Sequence, residues 1–325
     1  MAICLQFVLF MLIALLASTS QGQELLKLPV AIPAVTPAAT TFVVGRDRGY
    51  FREEGLDVQL IVMPSAIGTQ ALIGGNVKFS TVGGAALLPT LRGAPLRFLF
   101  TTFNRPMFWL YAKSDIRSVE ALKGKKVGVS SIGSGPDSLL RDLLKKHGLE
   151  GGRDVIILPM GAGTARFHAL QANAVDAAML SIPSNFMAAD AGYRELVSFI
   201  DQDWVELQGS VVSTEQVMTN EPALVEKFIR ASLKGFRYFR DQRSGAVGIL
   251  ARFMRVREDV AAKIYDVVRP GMTQDGIVGE ELQRKATEHV IGRAALKDPP
   301  RLERIFDQSV TFKVQKELQA KGWKP

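Results

Sequence analysis

The residues best suited to chemistry lie in one short loop, Ser130-Ser131-Ile132-Gly133-Ser134-Gly135-Pro136. It follows an apolar run starting at Val127 and precedes a leucine-rich segment, Asp137–His147. Three hydroxyls, glycine-freed backbone N–H groups and the start of a helix together favour an anion. Gly-Lys-Ser/Thr does not follow, so this is not a nucleotide-binding P-loop. The same serines would also serve an ordinary capped turn.

Other candidates surround it. Gly83-Gly84 lets the backbone approach a ligand closely, or a helix pack tightly on a strand. Thr36 and Ser65 offer hydroxyls, and both also stand where a helix cap is needed. Arg166, one turn into a helix, would neutralise an anionic ligand if it is not a solvated surface charge. Arg105, before Pro106, stands at a candidate hinge.

Several chemistries drop out. One Cys and three His exclude a cysteine-rich zinc site, and no metal or redox cofactor is expected. His147 ends a helix, while His168 and His289 lie within helices, which suits structural or exposed roles. No nucleophile elbow is present, so a Ser-His-Asp set cannot be assembled. The charge of +8, from 40 basic and 32 acidic residues, is spread along the chain. Without a basic run or interleaved aromatics, nucleic-acid binding is not expected.

The elements that must position these residues alternate strand and helix. Apolar runs and alternating patterns predict strands at Leu28–Ile32, Asp57–Met63, Lys78–Val82, Leu96–Thr102 and Phe108–Lys113. A second series follows at Val127–Ser130, Asp154–Leu158, Asp176–Leu180 and Leu196–Ile200. Helices lie between them, and from Glu221 onward the chain reads as nearly all helix. Such alternation argues for two mainly parallel α/β sheets. In such sheets ligands bind beyond the carboxyl ends of the strands. Those ends bring in Ala34, Gly68, Gly161 and Ser181 beside the residues already named.

The N-terminus reads differently. Met1–Gly22 has no charged residue, and Ile3–Ala17 is apolar apart from Gln6. Ser20 and Gly22 are the small residues a signal peptidase accepts, so cleavage is expected after Gly22. A retained N-terminal anchor is the alternative. The 303 residues left after cleavage keep the +8 charge and contain no cysteine, as suits an oxidising compartment.

The order of motifs resembles a bacterial solute-binding family. Gly49-Tyr50-Phe51-Arg52-Glu53-Glu54-Gly55-Leu56-Asp57-Val58 resembles its "GYF-xxEGLxV" element. Ala71–Phe79, Leu91–Pro95, Ser118–Val129 and Leu170–Ala178 resemble four further elements in the same order. Family members serve ABC importers for alkanesulfonates, nitrate, taurine and thiamine-pyrimidine precursors. The resemblance covers about residues 28–320 and implies a two-lobed periplasmic-binding-protein type II fold of α/β class. Each lobe would be a mainly parallel sheet flanked by helices, with a helical C-terminal extension.

Lobe one would comprise residues 23–113 plus 213–325, and lobe two 114–212. The implied protein is a periplasmic monomer and not an enzyme. Its partners would be a small-molecule ligand and an ABC permease and ATPase, and it would meet the membrane only through that transporter. Ligand contacts are expected from Ala34, Thr36, Ser65, Gly68, Gly83, Gly84, Ser130, Ser131, Gly133, Ser134, Gly161, Arg166 and Ser181. A small organic anion is the expected ligand, with a neutral pyrimidine-like precursor as the alternative. The family also shades into pyrimidine-synthesising enzymes with a cysteine-rich iron loop, which a cysteine-free mature chain cannot build. A sensor lobe on the same scaffold is a further possibility.

Overall fold

A computed structural model describes residues 24–325; the expected signal segment lies outside the described residues. Two five-stranded sheets organise the chain. The first begins with β1 (Leu26–Ile32), β2 (Leu56–Val62), β3 (Phe79–Ser80) and β4 (Leu96–Phe103). The second is built from β5 (Phe108–Ala112), β6 (Lys126–Val129), β7 (Ile156–Pro159), β8 (Ala177–Ser181) and β9 (Arg194–Ser198). The chain then returns to the first sheet as β10 (Gln208–Thr214).

The strand orders are β2-β1-β3-β10-β4 and β7-β6-β8-β5-β9. β1 pairs in parallel with β2 and β3, and β6 with β7 and β8. Each sheet holds one antiparallel strand, β10 in the first and β5 in the second. Each of these is the first strand laid down after the chain crosses over. Two mainly parallel sheets are therefore present, as expected.

The crossings differ from the expected boundaries. β5 belongs to the second sheet, so the chain leaves the first after Phe103 and not after Lys113. β10 belongs wholly to the first, so the return falls before Gln208 and not at 212. Sequence pattern gave no sign of β10, whose partners on β4 lie about a hundred residues earlier in the chain. The expected strand Lys78–Val82 shrinks to two residues, because a helix begins at Gly83.

The C-terminal helices clamp the first lobe. Helix Pro222–Asp241 lays Phe228 flat on Phe79, with ring centroids 4.2 Å apart. It crosses helix Pro37–Asp47 closely; a β-carbon on Gly235 would lie 2.7 Å from the Thr41 carbonyl oxygen. Arg230 of the same helix pairs with Glu54, Glu226 and Glu317, joining three segments. Aromatic burial supplies the bulk of this packing energy; the ion pairs mainly fix its register.

Candidate functional site

A cleft of about 430 Å³ opens between the two sheets. Ala34, Thr36, Ser65, Thr81 and Gly84 line it from the first lobe, at the carboxyl ends of strands. Ser130, Gly133, Ser134, Gly135 and Ser181 line it from the second. Met107, Val205 and Glu206 come from the two crossovers, Gln208 from the start of β10, and Ala286, His289 and Val290 from helix Glu280–Ala294. The crossovers lie side by side: the Glu206 N–H donates to the Asn104 carbonyl at 3.2 Å. Arg105 Nη1 donates to the Ile200 carbonyl at 3.1 Å, which ties the same two segments.

Eight of the thirteen expected contact residues therefore line the cleft: Ala34, Thr36, Ser65, Gly84, Ser130, Gly133, Ser134 and Ser181. Thr36 also caps its helix, accepting from the Ala39 N–H at 3.3 Å. The other five do not line it. Gly83 is packed against the return strand; a β-carbon there would lie 2.5 Å from the Leu207 carbonyl oxygen. Gly68 is buried against Val82. Ser131 is exposed and points its chemistry inward only through its backbone. Gly161 has φ +74° and gives its carbonyl to Arg166.

Arg166 is no surface charge and no cleft residue. It is 2% exposed, and its guanidinium donates to the carbonyls of Met179 and Gly161. Burial pushes its pKa down to about 10. Its role is to brace β8 against the loop that precedes its own helix.

The loop expected to hold an anion already spends several of its groups on itself. Gly133 N–H donates to Asp137 Oδ2 at 2.7 Å, so the chain supplies a carboxylate of its own. Arg141 Nε neutralises that carboxylate at 2.9 Å. Ser134 Oγ accepts from Ser130 Oγ at 2.7 Å and donates to the Ser131 carbonyl at 2.6 Å. Asp137, three residues after Ser134, is 2% exposed, and its burial was not foreseen.

Sequence reasoning missed Thr81, Phe108, Glu206, Gln208 and His289. Glu206 is the most consequential. Burial between the lobes pushes its carboxyl up to about 7, against the opposing hydrogen bond from Gln208. Part of the side chain still faces the open cleft. Gln208 Nε2 donates to Oε2 at 2.8 Å. His289 Nε2 stands 2.6 Å from Asp142 Oδ2 of the second lobe, within ion-pair distance but not aligned as a hydrogen bond. A lone Glu in Asp201–Glu206 or a His in mid-helix carries no sequence pattern that would mark it.

Comparison with solved structures gives the same fold. A protein from Bordetella bronchiseptica RB50 superposes with TM-score 0.76 at 19% identity, over 91% of this chain and 99% of that one. The periplasmic aliphatic sulphonate-binding protein SsuA from Escherichia coli superposes with TM-score 0.70 at 20% identity, over 86% and 92%. The desulfurization enzyme DSZB gives TM-score 0.66 at 14% identity, over 90% and 99%. At these identities the likeness is one of fold. No curated protein matched by sequence. The family model described as "NMT1/THI5 like" matches residues 36–246, and the chain belongs to that family.

Proposed function

We propose that this protein is the solute-binding component of an ABC importer. It is exported to the periplasm, captures a small organic molecule between its lobes and delivers it to a permease and ATPase. The observation that carries the reading is the cleft itself. Both sheets present the carboxyl ends of their strands to it, and among the described residues the chain passes between them twice. A ligand touching both sides has more contacts in the closed state, so it stabilises closure. The sulphonate-binding neighbour with this fold supports the same reading.

The enzyme among the structural neighbours raises a second possibility. Against it, among the described residues no serine hydroxyl is hydrogen-bonded to a histidine, and no acidic or histidine cluster suits a metal ion. A thermal-shift screen of small metabolites tests the proposal. A true ligand at about 100-fold its Kd should add about 2.7 kcal/mol of stability. It should also be recovered unchanged. Chemical conversion of the molecule, or no stabilising molecule in a broad library, would overturn the importer reading.

A further inference from the structure

The cleft holds a carboxylate where the expected ligand would bring its own. Glu206 Oε1 lies 2.6 Å from the place a β-carbon would take on Gly135, and 4.0 Å from that on Gly84. Gly135 is the first residue of helix Gly135–Lys146 in the second lobe. Gly84 is the second residue of helix Gly83–Leu91 in the first. One carboxylate oxygen therefore rests against the starts of two helices, one from each side. Helix starts favour negative charge, and here the chain itself provides it.

The rest of the lining agrees. Among the described residues no Lys or Arg lines the cleft, and Glu206 is the one carboxylate in its lining. His289 already faces Asp142. Arg166, the nearest candidate cation by sequence, is turned to backbone carbonyls. Gln208 holds Oε2, while no donor among the described residues is hydrogen-bonded to Oε1. Thr81 adds an independent sign of a missing partner. The residue lines the cleft at 2% exposure, and its buried Oγ1 has no hydrogen-bond partner. Buried polar atoms without partners are costly and rare, so this hydroxyl fits a ligand atom.

We propose that Glu206 sets ligand specificity in this cleft, selecting a small molecule that presents a donor nitrogen, an amine or amidine, over a carboxylate or sulfonate. The inference rests on the reading of the cleft as a solute site. A cationic nitrogen at Oε1 forms a charge-assisted hydrogen bond in a partly desolvated site. An anion would sit beside a like charge, or would have to keep Glu206 protonated. Apolar walls at Leu87, Phe108, Leu139 and Ile182 fit a carbon skeleton on the far side of that nitrogen.

Isothermal titration at pH 7 with matched probes tests this. Benzamidine and 2-phenylethylamine are compared with benzoate and benzenesulfonate. The nitrogen bases should bind at least about tenfold more tightly than the acids. Glu206→Gln should abolish that preference while leaving the empty protein folded, as judged by its melting temperature. Glu206→Asp should retain part of it. Equal or tighter binding of the acids, a preference that survives Glu206→Gln, or no binding by any probe would each overturn the assignment. The importer reading is judged separately, by the metabolite screen, and stands if an anion emerges there.

Discussion

The carboxylate of Glu206 rests against the α-carbon of Gly135, so close that a β-carbon there would lie 2.6 Å from Oε1. This contact joins a crossover segment to the first turn of a second-lobe helix. It makes Glu206 a reporter of how the lobes meet.

Its raised pKa, about 7, predicts a pH effect on stability. Burial is the cause, so the folded state binds the proton more tightly than the unfolded chain does. The contribution of this group to stability is therefore full at low pH and is lost as pH rises from the ordinary Glu range through about 7. The slope is at most about 1.4 kcal/mol per pH unit for one proton. Glu206→Gln removes the dependence. Urea titrations at pH 5 and pH 8 should show the variant gaining on the wild type at pH 8. His289, which lines the cleft, and Asp142, which it faces, are unchanged in both proteins, so they cancel in the comparison.

Adjacent glycines should respond in opposite ways. Gly83→Ala drives a methyl group into the Leu207 carbonyl and the Ser210 side chain, both at under 3 Å. The backbone must move, and a loss of about 1–3 kcal/mol is expected. Gly84→Ala meets nothing nearer than Glu206 Oε1 at 4.0 Å. It should leave the melting temperature within a few degrees while weakening ligand binding, because the methyl group enters the cleft. Loss of stability in both variants would mean that the pair is purely structural.

The serines of the second-lobe loop should also divide. Ser131→Ala should change affinity by less than about twofold, since its side chain is exposed and outside the cleft. Ser134→Ala removes a hydroxyl that bridges Ser130 and the Ser131 carbonyl. Its loss should loosen the loop and cost roughly 1 kcal/mol of stability, with a parallel fall in affinity. Melting curves and titration with any ligand from the screen decide this.

What the sequence disclosed, and what it hid, follow from the range of the interactions. The motifs that carried the family resemblance mark backbone necessities. Gly49, Gly55 and Gly124 have φ of 79°, 78° and 76°, where a side chain is strained. Tyr50 and Phe51 are buried anchors between them. Such local demands leave a fixed pattern, and the strand–helix order could be read from it. Eight cleft residues were legible for a related reason, since strand ends in a parallel sheet must converge. Glu206 was hidden because, apart from Gln208 two residues on, the groups that place it are distant in sequence. Its backbone partner is Asn104, and its side chain meets Gly84 and Gly135. Arg166 was misread because its partners are carbonyls, which no sequence pattern reports.

The last prediction concerns closure. His289 comes from helix Glu280–Ala294, which packs into the first-lobe core through Ala286. Asp142 belongs to helix Gly135–Lys146 of the second. Their approach at 2.6 Å therefore spans the cleft. Lys146 adds a second link, with its ammonium 4.0 Å from the ring centre of Trp204, on the return crossover. An ion pair at partial exposure is worth roughly 0.2–1 kcal/mol, which is small against folding but not against a balance between open and closed forms. Asp142→Asn keeps the shape and removes the charge. The variant should fold normally, because neither residue is part of a hydrophobic core cluster. Its closed fraction should fall, so apparent affinity should drop by up to about fivefold, with saturating ligand still closing the cleft. Small-angle scattering should show a larger radius of gyration than wild type without ligand, and an equal one with it. Equal radii in both conditions would mean that the pair does not govern closure.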